Sequence, residues 1–241
     1  MSTLKATTIE PATGTNLTLG ASGDTIELPG NTLALNTWKD SGGNTLFASD
    51  GAGTLSSVQS ELKGAGPKLI QTQEAGGASS VTFSSGIDNT YDVYMFTLNV
   101  IQCSVNSEDL NLNFSQAGTF TNTNMQATMY GQRLDQDDSD GQVAYFGSAD
   151  SDNAQNQKFA DSSQLSNVAS CSFSGIMYLY QPSSTTFVKY FNFRTVAKSV
   201  QPGNTSSFVS GYANTASAIT QVRMSPSSGT FVGTIKMYGI V

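Results

Sequence analysis

The sequence predicts an all-β protein, because its polar positions are mostly uncharged, its apolar residues alternate, and turn signals recur at short intervals. Charged residues make up only 12% of the chain, about half of the ~25% that is usual. Ser, Thr, Asn, Gln and Gly fill the polar positions instead, which is typical of strand faces and tight turns rather than of helix surfaces. Aromatic residues, at 10% of the chain, provide apolar surface for a core and disfavour disorder.

Residues 1–66 form a first module in which β-prone pieces are short and closely spaced. Pieces such as 45–48 and 54–56 are flanked by turn signals at 41–44 and 50–53. Strands of about four residues are at the low end of useful length, so a lone sheet of them buries too little surface. We expect either a core shared with other chains or an extended arm on a larger particle, and both require a partner.

A Gly/Pro cluster at 64–67 separates this module from a second domain, residues 67–241. A single helical turn is predicted just before the cluster, at 58–63. The predicted strands of the second domain are 69–73, 80–83, 91–103, 110–115, 127–134, 142–146, 169–180, 186–197, 206–212, 219–224 and 230–240.

The second domain is predicted to be a two-sheet β-sandwich of the jelly-roll kind, since about ten strands follow one another with turns between them. Alternate residues from Tyr94 to Val100 are all apolar, which predicts one core-facing side. Phe191 and Phe193 continue such a side in a later strand. Near Gly175 the alternation breaks, which predicts a bulge.

The sequence also predicts the cellular compartment and the state of the cysteines. The N-terminus lacks the apolar segment of a secretory signal, and no stretch approaches the ~18 apolar residues of a membrane span. We therefore expect synthesis in a cytosol and no membrane insertion. Cys103 and Cys171 lie in apolar strand patterns, so we expect buried free thiols rather than a disulfide.

The composition argues against most catalytic chemistry. The chain has no histidine, which removes Ser-His-Asp and Cys-His triads and the usual zinc sites. No Gly-rich loop precedes a helix, so no nucleotide cofactor is expected. A glycosidase needs only two carboxylates, but most acidic residues lie in turns, and Trp38 is the single tryptophan. We expect no catalytic residues, no cofactor and no enzyme activity.

The net charge of −7, without any cluster of Lys and Arg, also argues against nucleic-acid binding. Acidic residues are concentrated at 135–141 and 150–153. Alternating carboxylates are able to ligate Ca²⁺, but the match to an EF-hand loop is poor, and no metal site is assigned. A solvated hairpin tip between the strands at 130–134 and 142–146 accounts for the pattern; calcium, or a cationic or glycan partner, is the alternative.

Aromatic residues flank this acidic loop, and aromatics beside polar tips are frequent contact hot spots. Tyr130, Tyr145 and Phe146 are in this position, although strand-end core residues show the same pattern. The residues that we predict to contact a partner are Asp137, Asp138, Asp140 and Tyr145.

Several segments resemble virion proteins of marine, cyanophage-like bacteriophages. They are LKATTIEPATGTNLTLG at 4–20, SGDTI at 22–26, SGIDNTYDVY at 85–94, QPSSTT at 181–186, SGY at 210–212 and GTIKMYGI at 233–240. The resemblance implies a phage structural protein of the tail-fibre or appendage type, commonly trimeric, made in the host cytoplasm and located in the virion. It carries no catalytic residues that could be transferred to this chain.

These observations together predict a homotrimeric tail-fibre or spike component. Residues 1–66 are expected to trimerise and to bind other virion proteins, because strand edges and apolar faces need neighbouring chains. Residues 67–241 are expected to present loops to a glycan or protein of the host surface, with weak contacts multiplied by copy number. The alternatives are a capsid decoration protein that stabilises the head shell and a free glycan-binding module or depolymerase.

Overall fold

The computed structural model describes residues 37–40, 42–58, 66–135, 141–160, 167–168, 170–198 and 203–240. The chain divides into two compact units, Met1–Gly64 and Ala65–Val241. The predicted all-β class is confirmed, since the described residues form strands, one short 3-10 turn at Gly147–Ala149 and no α-helix. No helix among them is long and apolar enough to cross a membrane.

The described part of the first unit is a three-stranded antiparallel meander of β1 (Thr37–Lys39), β2 (Thr45–Ser49) and β3 (Leu55–Val58). The strands predicted at 45–48 and 54–56 correspond to β2 and β3. The other strands predicted in this module lie outside the described residues, as does most of the helical turn predicted at 58–63; Val58 itself ends β3.

Aspartate side chains close both turns of this meander. Asp40 Oδ1 accepts a hydrogen bond from the Asn44 amide at 2.8 Å. Asp50 Oδ1 accepts from the Ala52 amide at 2.7 Å and from the Thr54 amide at 3.1 Å. These side-chain bonds replace the backbone partners that a tight turn lacks, which is why Asp is favoured there. They also lower the pKa of each carboxyl below its usual value.

The second unit contains all remaining strands. They are β4 (Lys68–Glu74), β5 (Val81–Phe83), β6 (Val93–Cys103), β7 (Leu110–Ser115), β8 (Met125–Asp135), β9 (Gly141–Tyr145), β10 (Ser151–Ala154), β11 (Gln157–Lys158), β12 (Phe173–Tyr180), β13 (Lys189–Lys198), β14 (Gly203–Ala213), β15 (Gln221–Pro226) and β16 (Phe231–Ile240). Each strand predicted for this domain has a counterpart here, whereas the short polar strands β10 and β11 were not predicted.

These strands form two antiparallel sheets. The large sheet has the order β10-β8-β14-β13-β12-β6-β16-β4, with β9 paired to β8, and the small sheet has the order β11-β7-β15-β5. Aromatic pairs join the inner faces: Phe83 of the small sheet meets Phe96 at a ring distance of 5.3 Å, and Phe114 meets Phe191 at 5.4 Å. The predicted β-sandwich is therefore confirmed.

The chain changes sheet at most of its connections. Strands β4 to β8 alternate between the large and the small sheet, as do β10, β11 and β12 at two connections and β14, β15 and β16 at the last two. Two groups of strands stay within the large sheet: β8, β9 and β10 together, and β12, β13 and β14 together. The large sheet is therefore about twice as wide as the small one, since β9 and β10 share one edge of β8, and its outer face is broad.

The bulge predicted near Gly175 is present as a register shift between β12 and β6, but the extra residue belongs to β6. Val100 adopts a left-handed φ of 52° and its amide donates to Ser174 Oγ at 3.0 Å. The prediction that Val100 faces the core is wrong, because the bulge turns its side chain to solvent. In β12 the strict alternation is kept, with Met177 and Leu179 inward and Tyr178 outward.

Both cysteines are buried thiols that form no disulfide, as predicted. Burial raises the pKa of the Cys103 thiol to about 11, and the nearby carboxylates of Glu108 and Asp109 add to the shift. A thiol held neutral in this way is chemically quiet at ordinary pH.

Candidate functional site: an aromatic groove beside the β12–β13 turn

The residues predicted as contacts are described only in part. Asp137, Asp138 and Asp140 lie outside the described residues. Tyr145 ends β9 with 66% of its surface exposed. Its hydroxyl donates to the Asp150 carboxylate, and this hydrogen bond raises the pKa of Tyr145.

The strands on either side of the acidic loop pair as a hairpin. β8 and β9 are antiparallel, with Tyr130 opposite Tyr145 and Leu134 opposite Gly141. Of the flanking aromatics, Tyr130 and Tyr145 are exposed and only Phe146 packs against the core. Among the described residues, no three His, Cys, Asp or Glu side chains converge to hold a metal ion.

The outer face of the large sheet carries a cross-strand stack of rings beginning at Tyr130. The Tyr130 ring lies parallel to that of Phe208 on β14, with centroids 5.1 Å apart. The Arg194 guanidinium of β13 lies 5.0 Å from the Phe208 ring centroid. Register explains this row, because Tyr130, Phe208 and Arg194 are direct partners across β8, β14 and β13.

A second group of tyrosines lies on β12, β13 and β14. Tyr190 and Tyr212 meet edge to face with centroids 6.4 Å apart, and Tyr178 and Tyr180 stack at 6.4 Å. Polar neighbours hold the rings in place: Asn192 Nδ2 donates to the Tyr180 hydroxyl at 3.2 Å. The Tyr212 hydroxyl pairs with Gln126 Oε1 at 2.8 Å.

Two of these tyrosines, Tyr180 and Tyr190, border a groove of about 630 Å³ at the end of β12 and the start of β13. Its wall includes two strongly exposed aromatic residues, Phe187 at 65% and Tyr190 at 59%. The groove is lined chiefly by Asp92, Val93, Tyr180, Gln181, Phe187 and Tyr190. Its position next to a turn, on a rigid sandwich, is typical of binding sites.

The turn that presents Phe187 runs from 181 to 188, and several hydrogen bonds hold it. The Gln181 amide donates to the Asp92 carbonyl at 2.6 Å, although Gln181 has an unfavourable left-handed φ of 43°. The Ile219 amide donates to the Pro182 carbonyl at 2.9 Å. Ser184 Oγ accepts from the Phe187 amide at 3.1 Å.

The turn is also tied to the loop before β6. The Ser183 hydroxyl donates to the Asp88 carbonyl. The Tyr94 hydroxyl accepts from the Asp88 amide at 2.9 Å and donates to the Asp88 carbonyl at 3.0 Å. Burial raises the pKa of Tyr94. Two sequence-distant loops therefore form one braced rim around the groove.

Lys189 braces the turn from below. Its side chain is fully buried, and Nζ donates to the Phe187 carbonyl at 2.8 Å and to the Thr215 carbonyl at 3.1 Å. Burial lowers the pKa of this ammonium group. A buried lysine is costly unless its donors are paired, and here the pairing fixes the backbone of an exposed aromatic residue.

Among the described residues of the groove wall, Asp92 carries a carboxylate, Gln181 a side-chain amide and Thr186 a hydroxyl. Asp92 and Gln181 are the most polar of these. Neither side chain makes a hydrogen bond to another described residue, and no Lys or Arg lines the described wall. The arrangement offers aromatic faces for stacking and one carboxylate and one amide for hydrogen bonding, without any charge partner for the carboxylate.

Sequence reasoning missed this site. The strand predicted at 186–197 includes Phe187, because Phe187 continues the apolar alternation of Phe191 and Phe193. The prediction is wrong at this end, since β13 begins at Lys189 and Phe187 is exposed. The run of Pro, Ser and Thr at 182–186 is a turn signal that favours this later start of the strand. An aromatic residue immediately after such a turn is the pattern that could have revealed the site.

Comparison with models of known protein families, with curated proteins and with solved structures finds no match in any of the three. A function for this chain is therefore inferred from its own surface, in which a braced aromatic groove and a broad aromatic sheet face are the most distinctive features.

Proposed function

We propose that this chain is a structural component of a bacteriophage virion, of the tail-fibre or spike kind, which assembles as a trimer and contacts the host surface. The observation that carries the proposal is the braced aromatic groove beside the 181–188 turn. Exposing several rigidly held aromatic side chains to water is unfavourable, and such groups of residues are typical of contact sites.

The first unit supports a role for residues 1–66 in assembly. Its described meander leaves Trp38, Phe47 and Leu55 exposed, the last at 58%, and Trp38 and Phe47 stack at 5.6 Å. None of its residues whose burial is described, 37–40, 42–55 and 58, is buried. A small sheet is stable only if its apolar face is buried, and neighbouring copies or other virion proteins would cover that face.

The strand order supports a further interpretation, that the sandwich is a jelly roll with two insertions. Without β8–β10 and β13–β14, eight strands remain, in the orders β4-β16-β6-β12 and β5-β15-β7-β11. Consecutive strands then cross between the sheets at every connection except that from β7 to β11, which are neighbours in the small sheet. The last two strands lie next to the first two, β16 beside β4 and β15 beside β5. Jelly rolls are common in viral capsid proteins and lectins, which agrees with a virion protein that binds a surface.

The proposal is tested by immunogold electron microscopy of intact phage particles with an antibody against residues 67–241. We expect label confined to the tail. Label spread over the head would show instead that the chain is a capsid decoration protein. The face that carries the groove would then contact shell subunits. Particles without label, beside infected lysates that contain the antigen, would contradict a virion location.

A second experiment tests the host contact itself. Purified full-length protein should compete with phage adsorption to host cells, and Phe187→Ala should compete less well. Variants of Asp137, Asp138, Asp140 and Tyr145 test the acidic-loop prediction in the same assay. If all variants compete equally, neither the groove nor the loop is the contact site.

A further inference from the structure

We propose that the groove beside the 181–188 turn is a binding site for a neutral saccharide. This inference rests on the proposed function, since it names the chemical class of the host-surface ligand. Phe187 and Tyr190 would stack on the apolar face of a sugar ring, while Asp92 and Gln181 would bond to its hydroxyl groups.

The size of the groove agrees with such a ligand. Its volume of about 630 Å³ lies within the range of about 300–1,000 Å³ that is usual for small-molecule sites. This space accommodates one or two sugar rings. It is open along the sheet surface, so a longer chain could continue past the bound rings over the tyrosines of β13 and β14.

The chemistry of the wall matches the two sides of a pyranose. A sugar ring presents C–H groups on its faces and hydroxyl groups around its rim. Exposed aromatic rings match the faces, and the Asp92 carboxylate accepts hydrogen bonds from rim hydroxyls. The Gln181 amide both donates and accepts. Hydrogen bonds to a charged acceptor are the stronger kind, so Asp92 contributes to affinity as well as to orientation.

The charge of the wall indicates a ligand without negative charge. Asp92 is the one charged side chain that lines the described groove. The ammonium group of Lys189, beneath the turn, is buried and donates to two backbone carbonyls. The chain as a whole carries a net charge of −7. Sialylated, sulfated or uronic saccharides would meet an uncompensated carboxylate here.

The groove is preorganised, which favours binding of a small ligand. Its aromatic residues are positioned by neighbours, Tyr180 by Asn192 and Tyr190 by Tyr212. The turn is held by the hydrogen bonds of Gln181 and Lys189. Little conformational entropy remains to be lost on binding, which is the main cost for a flexible loop.

The test uses the full-length protein displayed at high density on beads, because weak contacts then add. The probes are immobilised glucose, galactose, mannose and N-acetylglucosamine and their disaccharides, with sialylated and sulfated glycans and choline in parallel. We expect binding to at least one neutral saccharide and none to the charged probes. Titration with the corresponding soluble sugar then gives the dissociation constant.

Three variants locate the site. Phe187→Ala and Asp92→Ala should each weaken binding about tenfold or more, and both positions are exposed, so folding should be kept. Tyr145→Ala is the matched control, since Tyr145 is equally exposed but lies on β9, with β8 and β14 between it and β13. It should leave the affinity unchanged.

Several outcomes would overturn the saccharide site: no neutral sugar bound, preference for anionic glycans or choline, or equal affinity in the Phe187→Ala variant. If no sugar binds to the beads, but the Phe187→Ala variant still fails to compete with phage adsorption, the ligand is of another class and the proposed function stands. If sugars bind through Phe187 but no particle is labelled, the saccharide site stands and the virion assignment fails.

Discussion

At the scale of single residues, close approach of backbone explains several glycines of the sheets. Gly211 of β14 is directly opposite Ala127 of β8. A Cβ atom at 211 would lie 2.3 Å from the Ala127 Cβ and 2.5 Å from the Gln126 carbonyl oxygen. Both neighbours are strand residues that have little freedom to move, so only glycine fits.

Gly211→Ala should therefore destabilise the protein by about 2–3 kcal/mol, since overpacking forces backbone shifts. Gly66→Ala is the control, because a Cβ there meets nothing within 4 Å. Chemical denaturation measures both free energies of unfolding. Equal values for the two variants would show that the β8–β14 pair can separate without cost.

Cys103 should make the stability depend on alkaline pH. Its folded pKa is raised from 9.0 to about 11, so between these values the unfolded chain has lost the thiol proton and the folded chain has kept it. Stability is then fully present below pH 9 and falls as the pH rises to 11, by about 2 kcal/mol from this group.

Denaturation curves of the wild type and of Cys103→Ala, measured from neutral pH to pH 11, check this expectation. The variant has lower stability at neutral pH because a buried group is lost, but it should lose less on going to alkaline pH. Cys171→Ala should keep the slope that Cys103 causes. Parallel curves for wild type and Cys103→Ala would contradict the expectation.

At the scale of elements, the 181–188 turn depends on an interaction beneath it. Lys189 is the first residue of β13 and faces the core. Its ammonium group donates to the Phe187 carbonyl in the turn and to the Thr215 carbonyl in the loop after β14. Alternation alone would place an apolar residue there. A buried ammonium in this place gives the turn a defined backbone, which no apolar side chain could do.

Lys189→Met should destabilise the protein by about 1–2 kcal/mol at neutral pH, because two carbonyl groups lose a charged donor. Amide hydrogen exchange at 184–188 should become faster, while exchange in β6 is unchanged. Lys198→Met, at the exposed end of the same strand, should change stability by less than about 0.5 kcal/mol. Unchanged exchange in the turn would show that Lys189 does not hold it.

The lowered pKa of Lys189 predicts how the free energies of unfolding of these variants change with pH. Where the unfolded chain still carries the ammonium proton and the folded chain has released it, stability rises with pH. The wild type, Lys198→Met and Lys189→Met should therefore respond to alkaline pH alike only if this shift is absent. With the shift, the alkaline gain should be missing in Lys189→Met alone.

At the scale of the whole molecule, the two units are expected to differ in how far their stability depends on partner chains. The described second unit has a continuous core that includes residues of both sheets. The meander of the first unit has exposed apolar residues, and none of its residues whose burial is described is buried. Stability of the first unit is therefore expected to depend on assembly, as in intertwined β structures.

Light scattering on the full-length chain should give the mass of an oligomer, and a trimer under the proposed function. Phe47→Ser combined with Leu55→Ser should shift the mass toward the monomer, because it removes apolar surface from the meander. Val143→Ser with Tyr145→Ser removes comparable exposed surface from the second unit and should leave the mass unchanged. A monomeric wild type at micromolar concentration would contradict the shared core.

Local pattern was sufficient to predict the class of fold and most strands. Alternating runs such as Tyr94, Phe96 and Leu98 specify a strand and its buried face, because side chains of a strand point to opposite sides in turn. Short polar strands such as β10 and β11 carry no such pattern. They form because neighbouring strands offer free hydrogen-bonding edges, which is a property of the assembled sheet.

The candidate site was decided by tertiary structure. Asp92 and Gln181 are far apart in the chain, and only the pairing of β6 with β12 brings them to one rim. Tyr180 points outward because β12 alternates strictly, and its pairing with Val93 of β6 places it beside Asp92. The sequence alone determined that this protein is a β-sandwich rich in aromatic residues. The register between distant strands decided where the exposed aromatic side chains come together. Register is set by the interactions between two segments and is not a property of either segment alone.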